Sequence, residues 1–90
     1  MGYFKLLGMA YVSKGLFKEA SEELKVSIQH NSNDYSAHRD LGILYYKHFH
    51  DTDTSLYYLN ESLRLAPNLS EKEKISNIIQ SIMNTNPDAP

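Results

Sequence analysis

From Tyr3 to Val12 almost every position is apolar, with Phe4, Leu7, Gly8 and Tyr11 on one stripe and Leu6, Met9 and Val12 beside it. Intervals of three and four residues predict a helix over about Gly2 to Lys14, closed by Ser13-Lys14-Gly15 as a stop and turn. A second helix is predicted from near Leu16, because Phe17, Ala20, Leu24, Ser27 and Ile28 share a face while Glu19, Glu22, Glu23 and Lys25 lie largely opposite. The cluster His30-Asn31-Ser32-Asn33-Asp34 ends it with turn and cap residues, so the two helices read as an antiparallel hairpin.

The pattern then restarts. Leu7-Gly8-x-x-Tyr11 returns as Leu41-Gly42-x-x-Tyr45, with Arg39 in the place of Lys5, Ile43 in that of Met9 and His38 in that of Phe4. The next turn, Lys47 to Thr52, has no glycine and is one residue longer than its counterpart. A fourth helix follows, in which Ser55, Leu59, Ser62 and Leu63 repeat the small and large order of Ala20, Leu24, Ser27 and Ile28. Ala66-Pro67-Asn68 ends that helix. A fifth is announced by Ser70-x-x-Glu73, read as a capping box, and carries Ile75, Ile78, Ile79 and Ile82 on one stripe with a polar remainder. In both copies the glycine costs helix stability, which a close approach of the neighbouring helix would explain.

These correlated matches resemble the tetratricopeptide repeat (TPR) family. Residues 1–34 match its 34-residue template at Leu7, Gly8, Tyr11, Gly15, Phe17, Ala20 and Leu24, and depart from it at Ser27 and Ser32. Residues 35–69 match at Leu41, Gly42, Tyr45, Leu59, Leu63 and Pro67, and depart at Ser55, at His50 and in length. The expected architecture is therefore all-α: a single domain over 1–84, built of two repeats and a capping helix at 70–84, with a flexible tail at 85–90. The resemblance implies a short right-handed α-solenoid whose first helices line a concave groove that receives a peptide. Carried onto this chain, the groove residues are Lys5, Met9, Val12, Arg39, Ile43, Tyr46 and Lys47, with Gly2, Leu6, Ser13, Ser36 and Asp40 beside them.

Cations interleaved with apolar side chains suit a partner protein or peptide with acidic and apolar residues. One branch of the family grips a terminal carboxylate with lysines, asparagines and an arginine. Here Met9 and Asp40 stand where asparagines belong and Glu71 and Ile75 where basic residues belong, so that clamp is not expected.

Composition narrows the picture further. Ninety residues with 41% hydrophobic and 22% charged suit one small globular domain, and a net charge of -2 gives no general attraction to nucleic acid. Without cysteine there are neither disulfides nor thiolate metal sites. No apolar run reaches the ~20 residues of a membrane span, and no targeting signal is seen, so the expected location is the cytoplasm. His48, His50, Asp51 and Asp53 fall together in one turn, but helix capping accounts for the aspartates and neither a metal nor another cofactor is expected. No nucleophile, base and charge stabiliser are brought together, and no phosphate-binding glycine loop is present, so the chain is not expected to be an enzyme. The leading expectation is a protein interaction module. The alternative is structural: the first helix, apolar nearly all round, would be covered in a homodimer or within a longer repeat scaffold.

Overall fold

The computed structural model describes residues 3–85, with side chains from Leu6 onward. Five helices occupy this span: α1 (Tyr3–Ser13), α2 (Phe17–His30), α3 (Tyr35–Lys47), α4 (Thr52–Leu65) and α5 (Leu69–Thr85). No strand is present among the described residues, and each helix packs on the next in chain order. The predicted flanks Met1 and Gly2, the side chains of Phe4 and Lys5, and residues 86–90 of the expected tail lie outside what is described.

Small residues set the spacing within each hairpin. At Gly8 an added Cβ would stand 3.0 Å from Leu24 Cγ and 3.3 Å from the Ala20 carbonyl oxygen. At Gly42 the fit is tighter, 2.6 Å from Leu59 Cγ and 3.1 Å from the Ser55 carbonyl oxygen. Both glycines thus mark where a leucine of the returning helix lies against bare backbone. Ala20, Leu24, Leu41 and Leu44 form a buried cluster joining α2 to α3, with Tyr11, Val12, Phe17, Ile28, Tyr45 and Tyr58 packed around it. Leu59, Ile75 and Ile82 extend the buried set to α4 and α5.

Ser55 and Ser62 are fully buried and make inter-helix bonds that an alanine would lack. The Ser55 hydroxyl donates to the Gly42 carbonyl at 2.6 Å, and the Ser62 hydroxyl donates to the Tyr35 carbonyl at 2.8 Å. Each hydroxyl reaches a carbonyl of α3, so α4 is pinned along its length to the helix that carries most of the candidate groove. Burying a hydroxyl is unfavourable unless it finds such a partner.

The two turns after the glycine-bearing helices solve the same problem with different residues. After α1, Gly15 takes φ +78, its N–H donating to Val12 O and the next N–H, from Leu16, returning to Tyr11 O at 2.9 Å. This is a Schellman closure. After α3, His50 adopts φ 54, and the Asp51 N–H returns to Tyr45 O at 3.0 Å. Tyr11 and Tyr45 hold the same place in the repeated pattern, so the extra residue of the second turn is taken up between Tyr45 and Asp51.

The start of α5 differs from the sequence reading. Asn68, not Ser70, caps it: Asn68 Oδ1 accepts the Glu71 N–H at 2.9 Å, and the Asn68 carbonyl accepts the Lys72 N–H. The Ser70-x-x-Glu73 spacing is real, but the helix begins earlier, at Leu69, and Ser70 already lies inside its first turn.

Candidate functional site

Helix α3 stands between α1 and α5, and an open cleft lies on each side of it. The first, about 340 Å³, is lined by Met9, Val12 and Ser13 of α1, Asp40, Ile43, Leu44 and Lys47 of α3, His48, and Leu24 as buried floor. The second, about 270 Å³, is lined by Ile43, Tyr46 and Lys47 of α3 and by Ile78, Ser81, Ile82 and Thr85 of α5. Ile43 and Lys47, one helical turn apart, line both clefts and form the ridge between them.

Met9, Val12, Ile43 and Lys47 therefore come together at the first cleft, and Tyr46 joins Ile43 and Lys47 at the second. Arg39 lies elsewhere. Its guanidinium contacts Asp40 Oδ1 at 3.3 Å, sits 4.0 Å from Glu71 Oε1, and covers the Tyr35 ring at 5.7 Å. Lys5 lies outside the described side chains. Lys47 is exposed and, among the described residues, forms no ion pair.

The floor and far walls were not anticipated. Leu24 and Leu44 reach the first cleft from the core, and His48 reaches its rim while stacking on Phe17 with ring centroids 3.7 Å apart and planes 12° from parallel. The contribution of α5 had a signal in the four isoleucines of its stripe. Ile75 and Ile82 are buried, which leaves Ile78 half-exposed along the second cleft. Ile75, which stands where the carboxylate-gripping branch of the family has a basic residue, is core.

Polar contacts tie α3 to α5 at two places, one beside the second cleft and one nearer the start of both helices. Tyr35 Oη donates to Glu71 Oε1 at 3.1 Å, and Lys74 Nζ reaches Glu71 Oε2 at 3.4 Å. Burial, and then the hydrogen bond to the anionic Glu71, raises the Tyr35 phenol above its ordinary pKa. Beside the second cleft Thr85 Oγ1 donates to Ser81 O at 2.9 Å, so the 2.9 Å contact with Tyr46 has the tyrosine hydroxyl as donor. The site is thus a pair of apolar clefts with a cationic ridge, and Tyr46 links α3 to Thr85 of α5 at the second of them.

The turn between α3 and α4 is organised by capping. Asp51 Oδ1 accepts the Thr54 N–H at 3.1 Å and Oδ2 accepts the Thr54 hydroxyl at 2.7 Å, and these bonds hold the carboxyl below the usual aspartate range. Among the described residues no group of three or more His, Cys, Asp or Glu side chains is placed to hold a metal ion, and no helix is long and apolar enough to cross a membrane. Compared with protein-family models, curated proteins and solved structures, the chain matches none.

Proposed function

We propose that this chain is a non-enzymatic, TPR-like protein interaction module that holds a segment of a partner protein along the face made by α1, α3 and α5. The observation that carries this reading is the shared ridge: two apolar clefts that open on either side of Ile43 and Lys47 make one continuous apolar track with a cation at its centre. Such a track suits a short segment with apolar anchors, whose side chains would displace water from both clefts at once. The test is selection of peptides from a random display library, followed by mapping of the selected peptides on the chain by amide chemical shifts. Shifts centred on Met9, Ile43, Tyr46 and Ile78 support the reading. Selected peptides that perturb only the outer faces of α2 and α4, or a library that yields no binder, overturn it.

A second reading, self-association, is favoured by α1. Leu6 and Met9, three residues apart on one helix face, are 63% and 52% exposed. A second copy covering that face would remove both from water. Light scattering across micromolar to millimolar concentrations separates the two readings, since a monomer throughout rules out the dimer.

A further inference from the structure

The proposed groove is specific enough in charge and spacing to define a ligand pattern, and this inference rests on the groove reading above. We infer that the occupant is an extended segment with two apolar residues three positions apart and a carboxylate between them, one apolar side chain in each cleft and the carboxylate over Lys47.

The charge argument starts from what each basic group already does. Arg39 is committed to Asp40 and Glu71, and Lys74 to Glu71. Lys47 lines both clefts and forms no ion pair among the described residues. Its stem can lie along Ile43 while the ammonium stays at the ridge. Asp40 is on the wall of the first cleft, so a carboxylate buried there would face a like charge. The second cleft carries Lys47 as its charged wall. The favourable place for a single acidic side chain is therefore the ridge, on the side of the second cleft.

The two clefts lie on opposite sides of α3, and a helix with its side chains is about 10 Å across, so the two apolar positions are separated by about that distance. A β-strand returns a side chain to the same face every two residues, about 7 Å, and overshoots at four. A polyproline II segment returns every three residues after about 9 Å, which matches. Its two intervening side chains project to either side of the segment rather than into the clefts, and the Lys47 ammonium, on its flexible stem, can rise from the ridge to meet the one nearer the second cleft.

The test uses blocked ten-residue synthetic peptides with Leu-Ser-Asp-Leu or Leu-Asp-Ser-Leu at the centre of a glycine-serine frame, covering both chain directions. Binding is read by fluorescence polarisation and amide shifts. One of the two is expected to bind at the groove and to weaken five- to tenfold when its aspartate becomes asparagine. It is expected to weaken by at least as much when either leucine becomes serine. With Lys47→Ala the aspartate and asparagine peptides should bind equally, and Lys47→Glu should prefer the peptide carrying lysine in place of aspartate. Lys47 is exposed, so both variants should keep the native circular dichroism and melting curve. Equal binding of aspartate and asparagine peptides to the native chain, or no binding of either peptide in the millimolar range, overturns the ligand pattern. The groove reading fails separately, when library-selected peptides shift no residue of α1, α3 or α5.

Discussion

Gly42 and Leu59 meet so closely that a methyl group on the glycine would stand 2.6 Å from the leucine Cγ, with the Ser55 carbonyl oxygen 3.1 Å away on the other side. Neither neighbour yields cheaply, because one is a branch point buried in the core and the other is backbone. Overpacking of this kind costs about 1–3 kcal/mol, against which alanine recovers about 1 kcal/mol of helix propensity. Gly42→Ala is therefore expected to lose up to about 2 kcal/mol in urea denaturation. Gly8→Ala, with its nearest contact at 3.0 Å, should be close to neutral, while Gly8→Leu should lose about 1–3 kcal/mol. Equal losses at Gly8→Ala and Gly42→Ala would contradict the difference in fit.

The two turns make the opposite comparison, of conformation without crowding. Nothing lies within 4 Å of a Cβ added to Gly15, yet its φ is +78. Gly15→Ala should therefore be destabilising through backbone strain alone, by about 1 kcal/mol. His50 already bears that strain at φ 54. His50→Gly removes it but adds freedom to the unfolded chain, leaving a net gain of up to about 0.5 kcal/mol. Thermal melts of the two variants should move in opposite directions.

At the start of α5 the cap can be located by substitution. Asn68→Ala loses the side-chain acceptor for the Glu71 N–H and should cost about 1 kcal/mol. Ser70→Ala replaces an exposed residue within the first turn and should change stability by less than about 0.5 kcal/mol. A larger loss at Ser70 than at Asn68 would restore the capping box.

How much of this was legible depended on the range of the interaction. The paired glycines, the leucines facing them and the five helices follow from periodicity, because the intervals of three and four that reveal a helix also fix which of its faces is buried. Met9, Val12, Ile43 and Lys47 were placed in one groove by the resemblance to the repeat family, and the structure brings them to one cleft. Arg39 shows where register stops being informative. Its pairing with Glu71 crosses 32 positions and depends on the angle at which α5 crosses its neighbours, which the isoleucine stripe of α5 does not fix. His38 is similar: it stands in the place of Phe4, but its Nε2 lies 3.1 Å from Ser32 O and its Nδ1 is buried without a partner. Asn68 was passed over because two cap signals overlapped, and only the position of Leu69 in the helix decides between them.

Acid should act on the turn before α4. The Asp51 carboxylate accepts two bonds from Thr54, which lower its pKa in the folded state. A group with a depressed folded pKa stabilises the fold above its unfolded pKa, roughly 4 for aspartate, and loses that contribution as pH falls through the folded value. Asp51→Asn keeps a capping acceptor but does not titrate. The difference in melting temperature between the native chain and Asp51→Asn should therefore be largest near pH 7 and shrink as pH falls below about 4. A difference that stays constant over this range would remove Asp51 from the acid response.

Tyr35 and Glu71 carry the last prediction, because their 3.1 Å bond is the shorter of the side-chain contacts that Glu71 of α5 makes with Tyr35 and Arg39 of α3. Removing the phenol in Tyr35→Phe leaves Glu71 with Lys74 and Arg39, so the carboxylate is not stranded and the loss should be about 1 kcal/mol. Glu71→Gln should cost a similar amount. If the bond is the shared cause, the double variant will lose less than the sum of the two, with a coupling of about 0.5–1 kcal/mol in a denaturation cycle. The linkage has a sign that alkaline pH exposes. The folded-state pKa of Tyr35 is raised, first by burial and then by Glu71, so its contribution is intact below pH 10 and is lost as pH rises beyond it. Native protein should lose stability more steeply than Tyr35→Phe above pH 10, and parallel profiles would show that the phenol does not hold α5 against α3.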